Sequence, residues 1–377
     1  MTSKDVVIVG GGTIGLAIGW RARRRGLSAT VLDAGEPGAW QVAAGMLAPV
    51  TEADFGEEAL LRLGLEGAAR FEFFCAELAA ASGRDPGLRR SGTLVVARDR
   101  DDAEALDRLH ALQASLGLEA ERLLPSRARR AEPALAPTVR LALDVPGDHS
   151  IDPRVLAGAL AEAVERAGGE VRASTRVESV IVEEERAVGV RVAGGEELRA
   201  GAVVIAAGAW SARLEGLPDA ARVPVRPVKG QILRLRDPRG PGLVTRTIRT
   251  PDGYLVPRPD GRYVLGASVE ERGWDTAPTA GAVFELIRDL GEVVPGVLEM
   301  EIDELGAGLR PGLPDNLPAI GPGALEGLHW ATGHYRNGIL LTPLTADLVA
   351  AGLAGEPLPE WAGAADPRRF ARIEVTS

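Results

Sequence analysis

The first thirty-three residues constrain the fold more than any other stretch. Val6-Val7-Ile8-Val9 is an unbroken run of β-branched residues, and Gly10-Gly11-Gly12-Thr13-Ile14-Gly15 follows it directly. Leu16 to Arg25 reads as a helix closed by Gly26, and Ser28 to Leu32 as a second strand ending at Asp33. A continuous apolar run is what a strand buried on both faces needs. Gly10, Gly12 and Gly15 stand in G-x-G-x-x-G register. In that register the first glycine makes the tight turn, the second lets backbone approach a pyrophosphate, and the third lets helix pack on strand. The N–H groups at the helix start are donors for phosphate. Asp33 would accept hydrogen bonds from a ribose diol and repel a 2′-phosphate. The unit therefore predicts a dinucleotide site that disfavours NADP, without choosing between NAD and FAD.

Length then requires more than this unit. At 377 residues, the chain exceeds a single core of about 100–200 residues, so two domains or one α/β unit with an insertion are expected. Hydrophobic residues at 45% and charged residues at 25% are ordinary for a globular protein. A net charge of −10 argues against nucleic acid as a partner. The single Cys75 excludes an intrachain disulfide and a multi-cysteine metal site. The four histidines (His110, His149, His329, His334) have no cysteine pair beside them, so no metal is expected. Lys4 and Lys229 are the only lysines; this arginine bias reads as a G+C-rich genome rather than heat adaptation. Met1–Asp5 runs into Val6 too promptly for a signal core. No stretch approaches the roughly 20 apolar residues of a membrane span. The expectation is a cytoplasmic protein with no membrane span.

Two later stretches bear on the cofactor. Trp40-Gln41-Val42-Ala43-Ala44-Gly45-Met46-Leu47 is rich in small residues that would let backbone lie against a flat ligand, or simply start a helix. Gly201 to Trp210 reads as a buried strand ending in small residues. It follows a meander from Arg176 to Leu198 turned at Ala193-Gly194-Gly195. This is the usual second half of an FAD-binding unit, or a core strand with a turn.

Four segments carry a closer likeness: Gly10 to Gly15; Ala43 to Leu47; Gly308-Leu309-Arg310-Pro311 with Asp315-Asn316-Leu317-Pro318; and Gly333-His334-Tyr335-Arg336-Asn337-Gly338-Ile339-Leu340-Leu341-Thr342-Pro343. Pro227 to Gln231 and Asp366 to Phe370 agree. On these residues the chain resembles the D-amino-acid oxidase family of FAD-dependent oxidoreductases along essentially its whole length. It is most similar to the members acting on glycine. Asp33 departs from the glutamate more usual there, yet still reaches a ribose hydroxyl. The resemblance implies an α/β fold: an FAD-binding, Rossmann-like (glutathione-reductase-like) domain with an inserted α+β substrate domain on a mixed or antiparallel sheet. It places residues 1–85, 146–222 and 300–377 in the FAD-binding domain and 86–145 and 223–299 in the substrate domain. Pro-rich breaks at Pro125–Pro137, Pro218–Pro227 and Pro238–Pro259 agree, and Asp152-Pro153 opens a helix running to Ala167. A homo-oligomer is also implied, a tetramer or alternatively a dimer.

By the same resemblance FAD contacts Gly10, Gly12, Thr13, Ile14, Gly15, Asp33, Ala34, Trp40, Gln41, Gly45, Met46, Leu47, Val177 and the run His334, Tyr335, Arg336, Asn337, Gly338, Ile339 and Leu340. Cys75 sits in an amphipathic helix away from any attachment motif, so the FAD is expected to be non-covalent. Arg310 is implied as the substrate carboxylate anchor, because a guanidinium fork binds both carboxylate oxygens. Tyr254 and Arg336 are implied to assist it. From the residues alone these three also have the readings of a surface arginine, a half-buried strand tyrosine and a structural arginine. His110 and His149 read as surface or capping residues, and Trp274, Trp330 and Trp361 as packing. No acid–base residue is expected, since hydride passes from substrate to flavin N5. The implied activity is oxidative deamination of glycine, sarcosine and small D-amino acids with oxygen, giving imine or 2-oxo acid and peroxide, for the thiazole of thiamine. Alternatives are a broader D-amino-acid or sarcosine oxidase, a flavin dehydrogenase with another acceptor, and a non-catalytic FAD-bound partner.

Overall fold

A computed structural model describes residues 4–371. Lys4–Val9 forms the central strand of a parallel array, with Glu197–Ile205 on one side and Ala29–Leu32 on the other. Leu328–Thr332 and Glu170–Arg172 extend the array at its two ends. Successive side chains of a strand face opposite ways, and this central strand uses both faces. Val6 and Ile8 join a core with Leu16, Trp20, Phe71, Phe74, Leu160 and Leu344 from four helices. Val7 and Val9 face the other way, against Val180, Val190, Val203 and Trp330. The expected meander, Val177–Glu183 and Arg186–Val192, leads into Glu197–Ile205 and packs Val180 and Val190 on that second face. Gly26 closes the first helix in the left-handed region (φ 83°), and Asp152 caps Pro153–Arg166 by accepting from Arg154 N.

A second sheet of eight strands is mostly antiparallel, with Arg226–Arg236 between Arg262–Gly266 and Glu301–Gly312. One face packs Leu233, Leu255 and Leu265 on Leu286 and Leu290 of the helix Ala280–Val293. The other presents Ile232, Val256 and Val264 to Ala44, Val42 and Met46. That contact brings the small-residue stretch onto the second sheet. Glu301–Gly312 lies in the segment 300–377 expected to belong with the nucleotide-binding unit, yet it pairs along its length with Arg226–Arg236. A small sheet of Met46–Leu47, His149–Ile151 and Leu88–Arg89 stands beside them. Among the described residues no helix is long and apolar enough to cross a membrane.

Candidate active site

A cavity of about 730 Å³ runs between the two sheets, from Gly10–Ile14 and Asp33 to Tyr254 and Arg310. Its size lies within the usual range for a cofactor site. At the nucleotide end the geometry is set by backbone. Gly10 has φ +115°, and a Cβ there would overlap the Ala206 carbonyl; a Cβ on Gly15 would overlap the Gly10 carbonyl. The helix Thr13–Arg24 has no side-chain cap and no acid in its first turn, so its N–H groups are free for an anion. Asp33 borders the cavity and accepts from Gly35 N at 3.0 Å. A second helix, Thr342–Leu353, also begins uncapped just after the cavity-lining run His334–Ile339. A glycine turn, two uncapped helix starts and a carboxylate at the strand end fit FAD. Gly10–Ile14 would take the pyrophosphate, Asp33 the ribose, and residues 43–46 and 334–339 the flavin end.

Of the residues named from sequence, Gly10, Gly12, Thr13, Ile14, Asp33, Ala34, Trp40, Gly45, Met46, Val177, Tyr254, Arg310 and His334–Ile339 border the cavity. Four named as cofactor contacts lie outside its lining. Gly15 sits beneath the turn, where its missing side chain serves helix-to-strand packing. Gln41 faces away: its side chain accepts from Gly38 N, and its carbonyl accepts from Arg154 and Arg234. Leu47 and Leu340 are buried in the helical core. Gly45 is small for a further reason, since a Cβ there would overlap the Ile151 carbonyl. His334 borders the cavity, but its ring is buried against Thr345 Oγ1 at 2.9 Å, and burial pushes its pKa down to about 3.

The substrate end is made by side chains from separate segments. Arg310, half-buried on Glu301–Gly312, donates through Nη1 to the carbonyls of Lys229 (3.3 Å) and Ser268 (3.0 Å). Its guanidinium crosses Gly230, where a Cβ would overlap it. Among the described residues it has no carboxylate partner within ion-pair distance. Tyr254 stands close by; burial raises its pKa, opposed by the positive charge of Arg310. Glu52 also borders the cavity and accepts from Arg249 Nη1 at 2.9 Å. Arg336 lines the cavity but is exposed, and stacks on Tyr335 with 5.4 Å from its guanidinium carbon to the ring centre.

Glu52, Gly230 and Arg258 belong to this assembly and were not singled out as site residues from sequence. Gly230 follows from pairing, since it stands opposite Gly308, two residues before Arg310. Glu52 carries no local motif. Arg258 is buried, donates to the Ala44 carbonyl at 2.6 Å, and leaves Nε and Nη1 without hydrogen-bond partners. Its Nε lies 3.5 Å from Asp152, and burial pushes its pKa down to about 10. It holds the cavity-lining loop from behind.

A family model described as DAO, FAD dependent oxidoreductase, matches residues 5–351. Glycine oxidase from Geobacillus kaustophilus is 35% identical over 350 residues, covering 92% of each chain. A crystal structure of glycine oxidase from that species superposes with a TM-score of 0.89 at 33% identity, covering 97% of this chain and 98% of that one. Hydrogen cyanide synthase subunit HcnC of Pseudomonas aeruginosa is 31% identical, over 94% of this chain and 93% of its own. The bifunctional protein ThiO/ThiG of Synechocystis is 32% identical over 98% of this chain, which spans 54% of that protein's length.

Proposed function

We propose that this chain, which belongs to the DAO family of FAD dependent oxidoreductases, oxidises glycine and other small amino acids or amines to the imine. Oxygen is the acceptor in this reading, and the imine hydrolyses to the 2-oxo acid or passes to thiamine thiazole synthesis. Arg310 carries the reading: its guanidinium borders the cavity, is held by two backbone carbonyls, and meets no carboxylate of the described chain. A planar fork in that setting suits an incoming carboxylate. Bound FAD supplies the two-electron oxidation of the substrate's C–N bond. The chain's own part is orientation. Arg310 would fix the carboxylate, Tyr254 would offer a hydroxyl beside it, and the loop that Arg258 holds through the Ala44 carbonyl would help to hold the flavin. Glu52 is engaged with Arg249, and the buried His334 ring with Thr345, so neither is a ready base. The similarity to glycine oxidase supports the substrate, and that to ThiO/ThiG the destination of the product. The same reading has the enzyme working in the cytoplasm as a homo-oligomer.

The likeness to a subunit of hydrogen cyanide synthase favours one second reading, in which a partner protein or quinone takes the electrons. Peroxide production by FAD-loaded protein with glycine, sarcosine, D-alanine, D-proline and bulky D-amino acids tests both. Glycine and sarcosine should have the highest kcat/KM. Higher values for bulky D-amino acids would make this a general D-amino-acid oxidase. Flavin reduction by glycine without peroxide would favour the second reading.

A further inference from the structure

Lys229 is one of two lysines in the chain and has no exposed surface. A buried ammonium is costly unless its donors are met. Here Nζ donates to the Asp275 carboxylate and to the Ala277 carbonyl, both at 2.7 Å. Those partners lie on residues 268–279, which leave the second sheet after Arg262–Gly266 and cross back over the strand Arg226–Arg236.

The segment is fastened along its whole length to that one strand. Lys229 N donates to Glu270 O at 2.9 Å, and Glu270 N to Lys229 O at 3.0 Å. Gln231 N donates to Ser268 Oγ at 2.9 Å, and the Gln231 amide donates to Glu270 (2.7 Å) and Thr279 Oγ1 (3.2 Å). Thr279 N donates back to Gln231 Oε1 at 2.7 Å. Ser268 N also donates to Gln231 O at 3.3 Å, and Arg226 Nε to Glu271 at 3.3 Å. The lysine's tie holds the middle of the segment. One residue before Asp275, Trp274 lies 5.9 Å from the Trp210 ring, and the Arg213 guanidinium carbon is 3.7 Å from the Trp274 ring centre. Trp210 and Arg213 border the cavity. The segment is thus a strap over the substrate end, and its first residue supplies the Ser268 carbonyl that accepts from Arg310.

We infer that Lys229 is a positioning residue for the substrate-carboxylate anchor: its buried ammonium locks the strap, and the locked strap, with Lys229's own carbonyl, sets the direction of the Arg310 guanidinium. The inference rests on the reading that Arg310 meets a carboxylate. Both carbonyls that Arg310 uses lie at the lysine or on the strap the lysine ties down. Freeing the strap leaves Arg310 its charge and removes its fixed direction. A misplacement of about 1 Å in such a group costs on the order of 100-fold.

The test compares Lys229→Met and Asp275→Asn with the wild-type holoenzyme. Methionine fills the space without charge, and the released Asp275 side chain is 48% exposed, so no buried carboxylate is stranded; Asp275→Asn weakens the tie from the solvent side. Both variants should keep their FAD. The KM for glycine and the inhibition constant of acetate should rise together, by about tenfold to 100-fold in Lys229→Met and less in Asp275→Asn, with kcat for glycine largely kept. Oxidation of methylamine, which has no carboxylate, should be unchanged. Amide hydrogen exchange across residues 268–279 should quicken in both. Parallel losses for glycine and methylamine, or unchanged acetate inhibition with quickened exchange, would overturn the inference, as would unchanged exchange in Lys229→Met. Failure of acetate to inhibit the wild type would instead contradict the carboxylate reading, and exchange would still decide whether Lys229 locks the strap.

Discussion

The two ends of the cavity are built on different principles. At the nucleotide end the recognising groups are mainly backbone, the Gly10–Ile14 turn and the uncapped start of the helix Thr13–Arg24, joined by one carboxylate, Asp33. At the substrate end they are side chains, with Tyr254, Glu52 and Arg310 arriving from three separate segments. The first end depends on what is missing, since a Cβ on Gly10 or Gly15 would overlap a carbonyl. The second depends on what is held, since Arg310 is directed by carbonyls of Lys229 and Ser268. Changes at the first end should therefore act on the cofactor, and changes at the second on substrate at constant cofactor.

The largest expected effect breaks the first end alone. Gly15→Val drives a branched side chain into the Gly10 carbonyl; overpacking costs about 1–3 kcal/mol even where side chains can give way, and backbone cannot. Purified protein should be insoluble or free of FAD. A full complement of flavin would show that this turn does not shape the cofactor site.

Arg310→Ala is the matching break at the other end. Truncating one partner of a buried charge pair costs about 2–5 kcal/mol, which is roughly 30- to several thousand-fold in kcat/KM for glycine. Flavin content should stay near wild type. Arg310→Lys should recover only part, because an ammonium cannot form the bidentate contact. Near-normal glycine kinetics in Arg310→Ala would move the anchor elsewhere, with Arg336 the next candidate.

Acid should weaken the nucleotide-binding sheet in particular. His329, on Leu328–Thr332, is held neutral by burial with its pKa pushed down from 6.5 to about 4, and His334 is shifted the same way. A depressed histidine contributes stability that is present above its unfolded pKa and is lost as pH falls toward the folded value. For His329 that amounts to about 3 kcal/mol between pH 6.5 and 4. Denaturant melts across that window should show the loss, and His329→Gln should flatten it; an equal slope in the variant would assign the acid sensitivity to other groups. The smallest effect is Tyr254→Phe, about 1 kcal/mol, the scale of one hydrogen bond. It should appear in glycine kcat/KM and not in flavin content, and a loss as large as that of Arg310→Ala would recast Tyr254 as a principal anchor.

The same contrast explains what could be read from the chain. The nucleotide end is written in consecutive residues, so strand, glycine register, helix and acid are legible from Val6 to Asp33. Gln41, Leu47 and Leu340 carried a local motif but face away from the cavity, because a motif gives proximity along the chain and not side-chain direction. Arg310 and Tyr254 could be named only through resemblance. Glu52 and Arg258 carried no signal, since their partners Arg249 and Ala44 are brought to them by the second sheet and its packing on the loop. Glu301–Gly312 shows the same limit at the scale of a strand, its partner strand lying far away in sequence.

One measurement meets the central claim directly. FAD-loaded wild-type protein is mixed without oxygen with glycine or with methylamine, and the yellow absorbance of the flavin is followed. If one end of the cavity holds the cofactor and the other selects substrate by its carboxylate, glycine should bleach the flavin faster by about 30-fold or more, the lower bound set by a buried charge pair. Equal rates for the two amines, or a flavin that glycine does not reduce, would contradict the account.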